Sequence, residues 1–137
     1  MSKRKLTLSS DLTAITQAIG IATSDSEFQV SLLVNSILSV KLTLSKSIEK
    51  INSSPLASFP CFSSVTDNEE QILLIKNKNK GAALFNNQAQ FDYLIVITSL
   101  EPFSALAELI SKLKSTKTVS FVSEIEAGKL TNLKSYL

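Results

Sequence analysis

Histidine is absent from the chain, cysteine occurs once, and glycine occurs only three times. Without histidine, no Ser–His–Asp or Cys–His constellation can form, and no imidazole is available to a metal. The lone Cys61 excludes an intramolecular disulfide and any Cys-rich zinc or iron–sulfur centre. Gly20, Gly81 and Gly128 cannot build a Walker loop or a dinucleotide fingerprint. Charged residues make up 19% of the chain, below the usual share of about 25%. The formal net charge of +2 does not by itself name an acidic partner. No stretch approaches about 18 uncharged apolar residues, so no transmembrane helix is expected. The longest candidate, Val30 to Val40, is interrupted by Ser31, Asn35, Ser36 and Ser39. Lys3, Arg4 and Lys5 open the chain, but no apolar run follows them as it would in a secretory signal. These absences predict a cytoplasmic protein with no cofactor, no metal and no recognisable catalytic apparatus.

What is present suits a globular domain. The 137 residues, 44% of them hydrophobic, predict one α+β domain spanning 1–137 with a core of its own. Scarce charge leaves apolar surface uncovered, which favours a protein partner or self-association.

Leu6, Thr7 and Leu8 alternate like a short strand. From Leu12 to Ile21 the pattern is ambiguous. Leu12, Ile15 and Ile19 sit at helical spacing and predict a helix, although Ile19-Gly20-Ile21 could equally begin a strand. Ser24 to Glu27 matches a capping box. Phe28, Val30, Leu33, Val34, Ile37 and Leu38 then give the apolar face of a largely buried helix. Lys41 to Leu44 reads as a short strand, and Ser45 to Ser54 as a polar connection. A strand through Phe59, Cys61 and Val65, the turn Asp67 to Glu70, and a strand over 71–75 form a hairpin. Lys76 to Gly81 is a second turn, 82–85 a third strand, and Asn86 to Gln88 a loop. Phe91 to Thr98 is the strongest strand, with Phe91, Tyr93, Ile95 and Ile97 expected on one face and Leu94 and Val96 on the other. Pro102 opens an amphipathic helix carrying Phe103, Leu106, Ala107, Ile110 and Leu113. A strand over 118–122 follows, and the tail from Glu126 is weakly specified. The expected fold is α+β, a mainly antiparallel sheet of about five strands with two or three helices packed on one face.

Candidate chemistry is sparse. Glu69 and Glu70 are adjacent and suit a solvated turn better than a paired acid and base. Cys61 lies between Pro60 and Phe62 with no basic neighbour in sequence, as a small core residue would. Asp92 interrupts an apolar strand, so its carboxylate must reach solvent or accept hydrogen bonds. The ordinary expectation is that Asp92 pins the loop 86–90 while Tyr93 fills the core with a tethered hydroxyl. The alternative is a ligand-facing pair at a strand end. Lys76, Lys78 and Lys80 could bind a nucleic acid weakly, but such a short cluster more resembles solvated surface.

Phe91-Asp92-Tyr93-Leu94-Ile95-Val96-Ile97, preceded by Gly81-Ala82-Ala83-Leu84-Phe85, resembles the core of the bacterial IPExxVDY family. Leu74-Ile75-Lys76-Asn77-Lys78 is similar to that family's strand ending in Asn-Lys. Ile19-Gly20-Ile21, the helix carrying Asn35 and the segment from Leu113 to Leu130 resemble its two ends. The Ile-Pro-Glu part is absent, with Asn86-Asn87-Gln88 in that region, and Phe91 stands where the family has valine or isoleucine. The resemblance implies a family with no assigned activity and adds Asn77 and Lys78 to Asp92 and Tyr93 as a candidate ligand or structural site. Three functions stay open: a non-enzymatic interaction or structural module, a small-molecule binder or enzyme using Asp92 and Tyr93, and a weak nucleic-acid binder.

Overall fold

The computed structural model describes residues 14–51, 53 and 56–137. The expected strand at Leu6 to Leu8 and the basic cluster Lys3, Arg4 and Lys5 lie outside them. Within them, the segment expected to be helical is a strand, β1 (Ile15–Thr23). Ile15, Thr16, Ile19, Ile21 and Thr23 are β-branched, and that preference for an extended backbone overrides the helical spacing.

The helix α1 (Glu27–Leu38) begins two residues later than the expected box would place it. Ser26 is the capping residue. Its Oγ accepts from the Gln29 amide at 3.2 Å, and Gln29 Oε1 accepts from the Ser26 amide at 2.8 Å. Ser39 ends the helix in the left-handed region, at φ 57°. Asn35 Oδ1 then takes the Leu42 amide at 2.8 Å and steers the chain into β2 (Thr43–Glu49). The polar connection expected from Ser45 is therefore strand as far as Glu49. β3 (Ser58–Val65) and β4 (Gln71–Lys76) form the anticipated hairpin. β5 (Lys78–Asn79) and β6 (Ala82–Ala83) make a small separate ladder. The expected third strand is thus only two residues long, because Leu84 and Phe85 leave it to enter the core. Asn86–Gln88 is a 3-10 turn, and β7 (Tyr93–Ser99) starts two residues later than expected. Pro102 lies ahead of α2 (Leu106–Lys114) rather than in its first turn. β8 (Val119–Ile125) and the one-turn α3 (Leu133–Tyr136) complete the chain.

The large sheet has six strands in the order β2-β3-β4-β7-β1-β8, one more than expected. Every neighbouring pair in it is antiparallel. α1 and α2 cover one face through Val30, Val34, Leu106, Leu109 and Leu113, packed on Ile19, Ile21, Ile72, Leu74, Tyr93, Ile95 and Ile97. The other face buries Ala18, Cys61, Ile75, Leu94 and Val96 beneath Phe85, Phe91, Leu130 and Leu133. β7 alternates between the two clusters at nearly every position, so it is buried on both sides.

Phe91 departs from the expected alternation. It precedes β7 and packs on the face opposite Tyr93, its ring stacked on Phe121 with centroids 5.7 Å apart. Gly20 makes this possible, since a Cβ there would overlap the Phe91 ring.

Candidate functional site

One corner of the sheet collects the end of β1, the start of α1, the end of β4 and the start of β7. Tyr93 is buried there, and its hydroxyl donates to the Asp25 carbonyl at 2.7 Å. Burial, then the carboxylates of Glu27, Asp92 and Asp25, push its pKa up to about 12. Asp92 Oδ2 accepts from the Thr23 amide at 2.9 Å, and Oδ1 pairs with Lys78 Nζ at 3.3 Å. Thr23 Oγ1 donates to the Thr118 carbonyl at 2.6 Å, and Thr118 Oγ1 donates to Asp25 Oδ2 at 2.6 Å. Lys76 pairs with Glu27 at 3.2 Å. The Glu27 carboxyl is held below its ordinary range chiefly by its own amide at the helix start. Burial opposes that effect and Lys76 adds to it. All of these bonds are internal, and they staple α1 and β8 to the central strands.

Asp92 does not pin the loop 86–90. That task falls to Asn77, which is fully buried between β4 and β5. Its Nδ2 donates to the Gln88 and Phe91 carbonyls at 3.0 and 2.9 Å, and its Oδ1 accepts the Phe85 amide at 2.9 Å. A side-chain amide offers both donors and an acceptor, so it can satisfy three backbone groups where a carboxylate could not. Asp92 Oδ1 instead holds Lys78 beside this fastener. The four candidate residues are thus brought together in one place. Lys76 and Lys78 are both ion-paired, so the lysines at 76, 78 and 80 do not present three unpaired charges.

Cys61 is buried against the second cluster, and burial pushes its thiol pKa up, opposed by the Ser45 hydroxyl. Such a thiol is a poor nucleophile. Glu69, at φ 64°, and Glu70 lie in the β3–β4 turn, where Thr66 Oγ1 donates to Glu70 Oε1. Among the described residues, no three acidic or cysteine side chains are grouped to hold a metal. Among the concavities lined by the described residues, three have volumes of about 630, 300 and 510 Å³. The largest of these three lies between the end of α1, the β3–β4 turn and Phe103. Neither Asp92 nor Tyr93 lines any of the three.

The surface feature that sequence reasoning missed is apolar. Phe28, Leu32 and Leu44 are 56%, 67% and 60% exposed. Phe28 meets buried Phe62 edge to face, with centroids 5.5 Å apart, and Leu44 lies directly opposite Phe62 across β2 and β3. Leu32 is one helical turn beyond Phe28. The signal was available. α1, expected to be largely buried with Phe28 on its apolar face, buries only Val30, Ser31 and Val34. It carries more large apolar residues than one stripe can bury, and Phe28 with Leu32 forms the surplus.

No protein-family model matches this chain, and no curated protein matches it.

Proposed function

We propose that this chain is a non-enzymatic protein-interaction module of the bacterial cytoplasm. The observation that carries the reading is the exposure of three large apolar side chains, Phe28 and Leu32 on α1 and Leu44 on edge strand β2, with Phe28 and Leu44 both set beside Phe62. Large apolar side chains left exposed around one buried ring, as Phe28 and Leu44 are around Phe62, suit a binding surface. The Asp92–Tyr93 corner supports the same reading from the other direction. Its polar atoms are engaged with the protein's own backbone and side chains, and Asp92 and Tyr93 line none of the three concavities. The resemblance to the IPExxVDY family is compatible, since that family brings no assigned activity; the bacterial term of the proposal rests on it, and the cytoplasmic term rests on the sequence expectations given above.

The test is a paired capture from native lysate with wild type and the double variant Leu32→Lys, Leu44→Lys. Both positions are largely exposed, so stability should change by no more than about 0.5 kcal/mol per site. A partner retained by wild type should bind the variant at least about tenfold more weakly, as loss of a modest anchor implies. Equal retention by a folded variant rejects the reading.

A further inference from the structure

We propose that β8 is the surface through which two copies of this chain join, edge to edge about a two-fold axis, into one continuous sheet. The inference rests on the interaction-module reading and adds a site and a partner to it.

The two edges of the sheet are built differently. β2 is blunted by a register shift between Ser45 and Ile48, next to exposed Lys46. Bulges and edge lysines of this kind discourage strand addition. β8 pairs with β1 on one side, and no strand pairs with its other side among the described residues. It contains no lysine, arginine or proline. Its one irregularity falls near its start, opposite Ala22 and Thr23, which leaves residues 121–125 in regular register.

Charge selects the occupant and its direction. Exposed Lys114 and Lys117 precede the strand, and exposed Glu124 and Glu126 lie at its far end. None of the four belongs to an ion pair among the described residues. A second copy running antiparallel brings each lysine end to the other copy's glutamate end. Parallel addition would set like charges together. Phe121, 52% exposed and stacked on Phe91, gives each copy an apolar contact on the same face of the joined sheet. A seven-residue edge is a short interface, so a weak dimer is expected, with half-association on the order of 100 µM as the working range of the test.

Sedimentation equilibrium of the full chain tests this with Glu124→Lys plus Glu126→Lys, Lys114→Glu plus Lys117→Glu, and all four changes together. Each pair should weaken dimerisation about tenfold, and the fourfold swap should restore it to within about twofold, because only the swap re-forms opposite-charge contacts. In parallel, amide NMR shifts that depend on concentration should concentrate in Val119–Ile125. A monomer up to about 1 mM, well beyond the association expected of so small an interface, overturns the proposal. A dimer untouched by these swaps but lost with Leu32→Lys also overturns it, while leaving the interaction reading standing with the α1 surface as its site. The interaction reading fails separately, when the Leu32→Lys, Leu44→Lys variant keeps its lysate partner.

Discussion

The Tyr93 hydroxyl ends on the Asp25 carbonyl with three carboxylates nearby, and this environment opposes a phenolate. The phenol titrates near 10 in an unfolded chain and near 12 in the folded one. The folded state holds the proton longer, so this stabilisation is complete below pH 10 and is lost as pH rises through 12. Tyr93→Phe keeps the ring and removes the titrating group. Its melting temperature should therefore fall less steeply than that of wild type between these two pH values. A thermal melt series showing equal slopes would reject the account. The sequence made the tethered hydroxyl of Tyr93 legible, because a buried tyrosine needs a hydrogen-bond partner. It could not name Asp25, sixty-eight positions away. It also assigned the loop fastener to Asp92 when Asn77 performs that task. Local sequence shows that a polar group must be satisfied, and only the tertiary fold shows by which backbone.

Gly20 and Phe91 tie a strand to the loop ahead of its neighbour, and their contact belongs to the scale of elements. Gly20→Ala places a methyl in the Phe91 ring, an overpacking that typically costs about 1–3 kcal/mol. In a Phe91→Ala background the same change should cost much less, because the obstructing ring is gone. Chemical denaturation of the four members of this cycle measures the coupling, and additive effects would mean the backbones part freely. β3, β4 and β7 were legible because β-branched and aromatic residues in them run between polar turns. β1 was not, since it is buried on both faces and loses the alternation that identifies a strand. β2 was legible only at Thr43 and Leu44, and its remainder failed for the opposite reason. Ile48 is its only buried residue, so an edge strand read as a polar connection. For α1, Ser24 to Glu27 has the form of a capping box, but the box that forms is Ser26 with Gln29, so the helix start was misplaced by two residues.

β7 is shared by two apolar clusters, one beneath α1 and α2 and the other beneath the C-terminal segment. A strand buried on both sides couples the layers, because neither can open without exposing its backbone and the other layer's floor. The molecule should therefore unfold in one transition. Its only two tyrosines, in a chain without tryptophan, happen to report on the two layers separately. Tyr93 belongs to the helix-covered cluster, while Tyr136 packs on the other with its ring 5.8 Å from that of Phe85. Tyr136→Phe leaves Tyr93 as the sole tyrosine signal, and Tyr93→Phe leaves Tyr136. Leu133 is buried in the second cluster only. Leu133→Ala should cost about 2–5 kcal/mol, as leucine truncation in a core does. Placed in each single-tyrosine background, it should lower the melting temperature seen by Tyr93 as much as that seen by Tyr136. If only the Tyr136 signal moves, the C-terminal layer melts by itself and the central strand does not couple the two faces.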